Sequence, residues 1–407
     1  MAAHASAVLV LAAALIAAQE PRLRPGFGGQ AFPRATPESV GLAPAKLGES
    51  GALLARYVAE RKIAGAVAAV ARRGRLAWLE AVGRQDLETR APMTERSIFR
   101  IYSMTKSVTA VAAMILHDEG RFRLDDPVSK FLPEFATVVV RTADGATRRP
   151  SRDVTVEDLM LHTSGLEHRT SENYRRARVR SRDITLPQFV RNIVAVPLMD
   201  DPGTRYRYSE GTTVLGRLVE IWSGKSLEAF LDGRVFRPLG MADTGFWVGP
   251  ERRARLATVY APSPDGGLTP MEIEEVPFTV RPALLEGAVG LVSTVPDYLR
   301  FCQMLLNKGE LDGVRLLRPA TVESMTRNGL SDAVLAARGG TMGWGLANVN
   351  VAMNGAGEYG WGGTAGTIFW IDPSRAMITI LMTQSSPANP DSLRQRFKAL
   401  VDQAVTR

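Results

Sequence analysis

The sequence predicts an α/β fold of the α+β kind, in which one antiparallel sheet is flanked by helices. Two observations support this prediction. Strand-like runs stand near both ends of the chain, at residues 66–71, 76–82, 345–351, 364–371 and 376–383. Segments with helical spacing, broken by many Pro and Gly turns, fill the middle. The simplest arrangement pairs the strands of both ends in a single sheet, covers its faces with helices, and inserts a helical domain between the two halves.

The domain boundaries follow from that arrangement. Residues 19–100 and 286–407 are assigned to the sheet domain and residues 101–285 to a mainly helical domain, with the functional site at their interface. Residues 1–18 are set apart, because 6–18 form an apolar run that is too short to span a bilayer and is typical of a secretory signal peptide. We therefore expect a periplasmic or secreted protein, or a cytoplasmic one if this segment is not a signal.

Each predicted element rests on a local pattern. A helix over 44–61 starts with Pro44, which is favourable in a first helical turn. The turn at 72–75 joins the first two strand runs into a hairpin. A second helix over 104–119 carries one apolar stripe and ends at Gly120. Further helical spacing occurs at 186–194, 213–222 and 393–404.

Composition excludes several classes of protein. With 45% hydrophobic and 23% charged residues, the chain is globular and neither disordered nor fibrous. The single cysteine, Cys302, excludes an intrachain disulfide and a thiolate metal cluster within one chain, and the absence of an H-E-x-x-H pair excludes zincin-type metal chemistry. The net charge is +8, but the arginines are scattered among 42 acidic residues, so we expect no nucleic-acid partner.

A candidate nucleophile opens the second helix. Ser103 and Lys106 are three residues apart, so on a helix their side chains share one face. A serine attacks only once a base removes its proton, and a lysine that burial favours in its neutral form can be that base. The helix N-terminus adds N–H groups that stabilise a developing anion. The alternative is an N-cap serine beside a solvated lysine.

Two further motifs carry candidate functional residues. Tyr208 stands where a loop enters a helix, and a tyrosine beside a cation can shuttle protons; the alternative is an aromatic side chain packed under that helix. Trp361, Gly362, Gly363 and Thr364 precede a strand. Paired glycines admit a ligand or a second backbone, and the following N–H groups can donate to an oxyanion. A tight turn with a buried tryptophan would explain the same residues.

Together, these motifs resemble a known superfamily. Ser103-x-x-Lys106, then Tyr208 about a hundred residues later, then the Gly-rich entry at Trp361 is the motif order of serine β-lactamases and penicillin-binding proteins. Three further stretches look like the same group: 161–166, 206–209 and 287–294. Over residues 36–407, the chain most resembles the β-lactamase-like esterases known as family VIII carboxylesterases.

The resemblance implies a β-lactamase-like fold and a carboxylesterase that acts on small, neutral, short-chain esters. It implies that Ser103 becomes acylated, that Lys106 and Tyr208 share the general-base work, and that Tyr208 returns a proton to the leaving group. The N–H groups of Ser103 and Thr364 would form the oxyanion hole. Four residues of the third motif would contact the substrate: Trp361, Gly362, Gly363 and Thr364. The resemblance implies no metal and no cofactor; no stable membrane insertion is expected, and the oligomeric state stays open.

Two departures from the family pattern bear on the substrate. Glu210 stands where Tyr-x-Asn has asparagine, and Trp361 begins Trp-Gly-Gly where Lys-Thr-Gly is usual. That lysine helps to hold the carboxylate of a β-lactam or of a C-terminal D-alanine. An indole removes the cation and adds an apolar wall, which suits a neutral ester. The alternatives are β-lactamase or D-Ala-D-Ala carboxypeptidase activity, acyl transfer to an alcohol or amine, and a penicillin-sensor-like binding protein.

Other polar residues favour less specific roles. His162 and Ser164 lack the G-x-S-x-G setting of a nucleophile, so we interpret His162 as a structural hydrogen-bonding residue. His168 lies in a polar loop without an evident partner. The basic run 175–182 is interpreted as a solvated helix face.

Overall fold

The computed structural model describes residues 32–355 and 357–406. These residues form one seven-stranded antiparallel sheet, several two-stranded pairs and twelve α-helices, which confirms the predicted α/β class with an antiparallel sheet flanked by helices. The predicted signal peptide lies outside the described residues. Within the described ranges, no helix combines the length and the apolar character that crossing a membrane requires.

The strands are β1 (Gly65–Arg72), β2 (Arg75–Gly83), β3 (Phe99–Arg100), β4 (Val140–Arg141), β5 (Thr147–Arg148), β6 (Tyr260–Pro262), β7 (Leu268–Pro270), β8 (Val292–Ser293), β9 (Glu310–Leu311), β10 (Val314–Arg315), β11 (Met342–Gly345), β12 (Val349–Ala352), β13 (Tyr359–Gly362), β14 (Ile368–Asp372) and β15 (Met377–Thr383). The α-helices are α1 (Pro44–Ala59), α2 (Thr105–Asp118), α3 (Val156–Leu161), α4 (Glu172–Arg176), α5 (Leu186–Val194), α6 (Gly211–Ser223), α7 (Leu227–Leu231), α8 (Arg237–Leu239), α9 (Val295–Leu306), α10 (Pro319–Met325), α11 (Asp332–Ala337) and α12 (Leu393–Gln403).

The large sheet joins the two ends of the chain, as the sequence predicts. Its strand order is β11-β12-β13-β14-β15-β1-β2, and each neighbouring pair is antiparallel. β1 pairs with β15 from Ala66 opposite Thr383 to Arg72 opposite Met377. Every residue of these two strands is buried, so the junction of the two chain ends lies in the core.

Both faces of the sheet are covered, because successive side chains of a strand point to opposite sides. On one face, Ala66 and Val70 of β1 pack with apolar residues of α1 and α12. On the other face, Val67 and Ala69 belong to the main core, which includes α2 and α9. α2 is buried from its first residue through Leu116 and also contacts α6 and α7. It therefore belongs both to the core under the sheet and to the helical region.

The helices and strands with the clearest local patterns are confirmed. The predicted helices correspond to α1, α2, α5, α6 and α12, with ends shifted by a residue or two, and the predicted hairpin is β1–β2. The strand predicted at 376–383 is β15. Residues 286–407 also contain α9, α10 and α11, which come before the first C-terminal strand of the large sheet.

One predicted strand is two strands in the structure. The run 345–351 is a hairpin: β11 ends at Gly345 and β12 starts at Val349. Asn348 turns the chain with a φ of 56°, in the left-handed region where asparagine is tolerated, and its N–H donates to the carbonyl oxygen of Gly345 at 2.9 Å. A polar residue inside an apolar run therefore marks a turn here.

The strand predicted at 364–371 begins only at Ile368, and the strand before it, β13, is absent from the prediction. The glycines of β13 suggest a turn when the sequence is considered alone. In the structure they are needed inside a strand: a Cβ at Gly360 would lie 2.1 Å from the carbonyl oxygen of Phe369 on β14. Close backbone approach, and not a turn, explains this glycine.

Candidate active site

Ser103 lies in a short 3₁₀ turn, Tyr102–Met104, that leads directly into α2. Tyr102 has a φ of 42°, a conformation that a bulky residue rarely adopts unless its surroundings hold it there. The adjoining backbone is held, because the N–H of Ile101 donates to the carbonyl oxygen of Leu291 at 3.0 Å. Ser103 keeps 6% of its surface exposed, so the serine stands at the edge of the core.

Lys106 lies on the first turn of α2 and is fully buried. Its Nζ donates to the carbonyl oxygen of Ala288 at 3.2 Å. The same nitrogen stands 4.6 Å from the centroid of the Tyr208 ring. The structure thus brings the residues of the first two motifs together.

Tyr208 lies on an irregular segment just before α6. Four rings surround its side chain, with centroids 4.7 to 6.0 Å away: His162, His168, Trp344 and Trp361. The indole Nε1–H of Trp361 also donates to the phenol oxygen of Tyr208 at 3.1 Å. Tyr208 is therefore in contact with both of the other motifs.

The third motif packs directly on the serine segment. Trp361 and Gly362 are the last residues of β13, and Gly363 begins the turn to β14. A Cβ at position 363 would lie 2.4 Å from the carbonyl oxygen of Ile101, so only glycine allows this approach. The turn therefore lies beside the segment that carries Ser103.

Thr364 lies in this turn with an exposed side chain. Neither its N–H nor that of Ser103 donates a hydrogen bond to another of the described residues, so both can meet an acceptor on a ligand. Arg394, from α12, holds the turn: its Nη2 donates to the carbonyl oxygens of Gly363 at 2.6 Å and Thr367 at 3.1 Å. A residue of α12 thus supports the turn that carries Thr364.

His168 belongs to this site, although the sequence does not indicate it. Its ring stacks on that of Tyr208 at 5.5 Å and 28°. Its Nδ1 accepts from the N–H of Thr170 at 3.3 Å and lies 2.7 Å from the Thr170 hydroxyl. Burial lowers the pKa of His168 to about 4, so the ring is neutral near pH 7. The contact depends on a loop meeting a distant tyrosine, and no local pattern reports it.

His162 does not pair with Ser164. Its Nδ1 lies 3.1 Å from the hydroxyl of Ser209, whereas the hydroxyl of Ser164 accepts from the N–H of Leu166 at 3.4 Å. Burial lowers the pKa of His162 well below its usual value. The geometry agrees with a structural hydrogen-bonding role and offers no His162–Ser164 pair.

The interpretation of residues 175–182 as a solvated helix face is correct for Arg175 and Arg176, which are exposed on α4, and wrong for the end of the run. α4 ends within this run, and Arg182 is only 2% exposed. Arg180 points inward and donates to both carboxylate oxygens of Glu286, at 2.5 and 2.6 Å, and to Glu274 at 2.6 Å. The acids that pair with Arg180 lie far along the chain, so the basic run alone cannot show that it is buried.

Glu210 is a second buried carboxyl group in this part of the molecule. Thr213 donates to its Oε2 at 2.8 Å, while its Oε1 has no hydrogen-bond partner among the described residues. Burial raises the pKa of Glu210, and the charge of Glu286 raises it further. For Glu286, burial acts in the same direction, but the charge of Arg180 opposes it and the pKa of Glu286 is lowered overall. Of the two carboxyl groups, Glu210 is the one whose surroundings favour the protonated form.

A groove of about 600 Å³ lies between α12 and strands β12–β14. Trp370, Arg394 and Lys398 line it, and it touches Trp361 at one end. Trp370 packs on the α12 side of the sheet, whereas Trp361 packs with the main core on the other side. The groove is therefore behind the third motif and is not the space in front of Ser103.

Comparison with known proteins yields relatives along most of the chain. Residues 51–403 match the family model described as Beta-lactamase. The chain is 35% identical over 353 residues to protein Rv1367c of Mycobacterium tuberculosis, covering 80% of this chain and 86% of that protein. It is 32% identical over 364 residues to esterase EstB of Burkholderia gladioli, covering 80% and 87%. The solved structure of EstCE1, a hydrolase with promiscuous acyltransferase activity, matches with a TM-score of 0.76 at 26% identity and covers 89% of this chain and 99% of its own.

Proposed function

This chain belongs to the beta-lactamase family and is a hydrolase of that family, and from this premise we propose that it is a serine carboxylesterase for neutral, short-chain esters. The proposed reaction passes through an acyl-enzyme on Ser103. The observation that carries the proposal is the contact between Trp361 and Tyr208, in which a neutral indole donates to the phenol oxygen. It supports both a proton-transferring role for Tyr208 and a preference for uncharged substrates.

In the first step, the hydroxyl oxygen of Ser103 attacks the ester carbonyl carbon while its proton passes to Lys106 and Tyr208. The carbonyl oxygen becomes an oxyanion, and the free N–H groups of Ser103 and Thr364 stabilise it. When the intermediate collapses, the alcohol leaves with a proton from Tyr208. Ser103 is then esterified.

In the second step, water attacks the acyl-enzyme and gives a proton to the same pair. The oxyanion forms again at the N–H groups of Ser103 and Thr364. Collapse releases the carboxylic acid and returns the proton to Ser103. The reaction consumes one ester and one water. The proton that Ser103 loses in the first step leaves with the alcohol, and water replaces it in the second step.

Charge in the site favours a neutral substrate. Trp361 supplies a hydrogen-bond donor without a cation, so it gives a substrate carboxylate no ionic partner. Arg169, which stands 5.9 Å from the ring of Tyr102, is already ion-paired to Glu274 at 3.0 Å. At these two positions, a carboxylated β-lactam or D-alanine peptide would therefore lose solvation without gaining an unpaired cation.

The test is hydrolysis of p-nitrophenyl butyrate by wild type and Ser103→Ala, together with intact-protein mass spectrometry after a fluorophosphonate label. We expect the variant to lose at least about 10³-fold in kcat and all of the label while keeping its melting temperature. Full activity in Ser103→Ala would disprove the proposal. A wild type that is acylated but does not turn over would instead be a sensor-like binding protein.

Acyl transfer to an alcohol is a second candidate, favoured by the match to EstCE1. An alcohol that replaces water in the second step gives a new ester in place of the acid. Product analysis with increasing n-butanol separates the two: butyl butyrate as the product indicates transfer, and butyrate alone indicates hydrolysis.

A further inference from the structure

Tyr208 has no helix or strand to hold it. Residues 205–209 are irregular, and α6 begins only at Gly211. The position of the tyrosine therefore depends on hydrogen bonds that its neighbours in the chain make. Three N–H groups at and around this position are held by residues 162–167: those of Arg207, Ser209 and Glu210.

Two of these three hydrogen bonds end on His162. The N–H of Arg207 donates to the His162 carbonyl oxygen at 2.7 Å, and the N–H of Ser209 donates to its Nδ1 at 3.3 Å. The hydroxyl of Ser209 lies 3.1 Å from the same nitrogen. The His162 and Tyr208 rings are in contact, with centroids 4.7 Å apart. One residue thus holds the chain on both sides of Tyr208.

His162 is itself firmly placed. It caps the C-terminus of α3 in a left-handed conformation, with a φ of 57° and a ψ of 36°, and its N–H donates to the carbonyl oxygen of Asp158. The N-terminus of α3 is closed by a capping box between Thr155 and Asp158. Asp158 also accepts from Arg152 at 2.6 and 2.9 Å. A short helix that is secured at both ends therefore carries the His162 ring.

The hydrogen-bond pattern also determines the tautomer of His162. A backbone N–H can only donate, so Nδ1 must accept and the ring hydrogen must be on Nε2. Because burial lowers the pKa of His162 well below its usual value, the ring stays neutral and Nδ1 keeps its lone pair near pH 7.

We propose that His162 is a positioning residue for the reaction: its carbonyl oxygen and its Nδ1 clamp the chain on both sides of Tyr208 and keep the phenol between Lys106 and Trp361. The inference rests on the proposed function, since it gives His162 a task only if Tyr208 transfers the proton. Proton transfer requires oriented groups, and a displacement of about 1 Å can cost about 10²-fold in rate. Loss of the clamp therefore lowers kcat and changes KM little.

The experiment compares His162→Asn with His162→Phe. Asparagine has an amide oxygen where His162 has Nδ1 and tolerates a left-handed backbone, whereas phenylalanine keeps a ring and loses the acceptor. With p-nitrophenyl butyrate, we expect kcat within about tenfold of wild type for His162→Asn and about 100-fold lower for His162→Phe. Rates are expressed per active site counted with a fluorophosphonate, so misfolded protein does not contribute. If His162→Phe does not fold, His162→Gln replaces it, because its amide reaches the position of Nε2 and not that of Nδ1.

A double-mutant cycle with Tyr208→Phe shows whether His162 acts through the tyrosine. If it does, adding His162→Phe to the Tyr208→Phe variant lowers kcat further by less than about threefold. The proposal would be overturned if the losses in kcat of the two single variants multiplied in the double variant. It would also be overturned if His162→Asn were as slow as His162→Phe. A failure of the proposed function is distinct, since it appears as activity retained by Ser103→Ala and does not involve His162.

Discussion

The indole nitrogen of Trp361 and the phenol oxygen of Tyr208 are joined by a hydrogen bond of 3.1 Å, in which the indole donates. An indole N–H cannot accept, so the phenol hydrogen of Tyr208 must point elsewhere. The nitrogen of Lys106 stands 4.6 Å from the centre of the same ring. The tryptophan thus orients the hydroxyl group of Tyr208.

Trp361→Phe keeps an aromatic ring and removes the N–H donor together with part of the indole. We expect kcat/KM for p-nitrophenyl butyrate to fall about 5-fold, since one side-chain hydrogen bond is worth about 1 kcal/mol. Steady-state kinetics measure the effect. Trp370→Phe is the matched control, because this tryptophan packs on the opposite face of the sheet, and it should leave kcat/KM unchanged. Equal activity in Trp361→Phe and wild type would show that the hydrogen bond has no part in the reaction.

Gly363→Ala should displace the turn that carries Thr364. The new Cβ would lie 2.4 Å from the carbonyl oxygen of Ile101, so one of the two segments must move. We expect kcat to fall about 10²-fold, as when one oxyanion donor is lost, with little change in KM. The control is Gly48→Ala, where the space within 4 Å of the new Cβ is empty and activity should not change. Wild-type kcat in folded Gly363→Ala protein would contradict the proposed oxyanion hole.

His168 should not contribute to the pH dependence of the reaction near neutrality. Burial lowers its pKa to about 4, so its charge changes only below about pH 5. We expect the kcat/KM profile of His168→Gln to keep the shape of the wild-type profile between pH 5.5 and pH 9, whatever its height. A shifted acid limb in the variant would mean that His168 titrates in the working range.

Asp297 should make the protein less stable as the pH rises. Burial, helped by the charge of Asp243, raises its pKa to about 7, although the N–H of Asp243 and the hydroxyl of Thr244 donate to it at 2.8 and 2.9 Å. The pKa of an aspartate in the unfolded chain is near 4. Because the pKa is higher in the folded state, protonation of Asp297 stabilises the fold fully below about pH 4, and this stabilisation is lost as the pH rises through 7.

Asp297→Asn removes that titration. Relative to the variant, the unfolding free energy of wild type should fall by up to about 1.4 kcal/mol per pH unit between pH 4 and pH 7 and then level off. Urea unfolding at pH 5, 6, 7 and 8 measures the difference. Parallel stability curves for the two proteins would show that Asp297 does not change its protonation state over this range.

Local sequence patterns are sufficient for much of the fold. The apolar stripe of α2 and the turn between β1 and β2 arise from residues that are close in the sequence. Both elements are found where they are predicted. β13 is different. The backbone of β14 lies too close to Gly360 for a Cβ atom. The need for glycine therefore arises only when the two strands pair. Pattern rules that treat glycine as a turn residue cannot anticipate it.

The candidate site divides in the same way. Helical spacing predicts that Ser103 and Lys106 lie together, and the other two motifs are indicated by their positions at a helix entry and a strand entry; their resemblance to a family connects the three. The contacts between motifs were not predictable, because they join residues far apart in the chain. His168 beside Tyr208 and Arg394 beside Gly363 are examples, and neither is marked by its neighbours in sequence. The resemblance also gives Trp361 the role of a wall and does not indicate that it donates to Tyr208.

The pairing of β1 with β15, and the support that Arg394 gives the turn at Gly363, also affect how the protein is made. A ribosome releases Ser103 long before it releases Arg394. Until β15 and α12 emerge, β1 lacks one of its two neighbours, and the turn at Gly363 lacks its support from Arg394. Contacts between distant parts of a chain form late, and an apolar strand with an open edge is prone to aggregate meanwhile. We therefore expect the nascent polypeptide to lack a complete candidate site, and to be most prone to aggregation, until α12 has been translated.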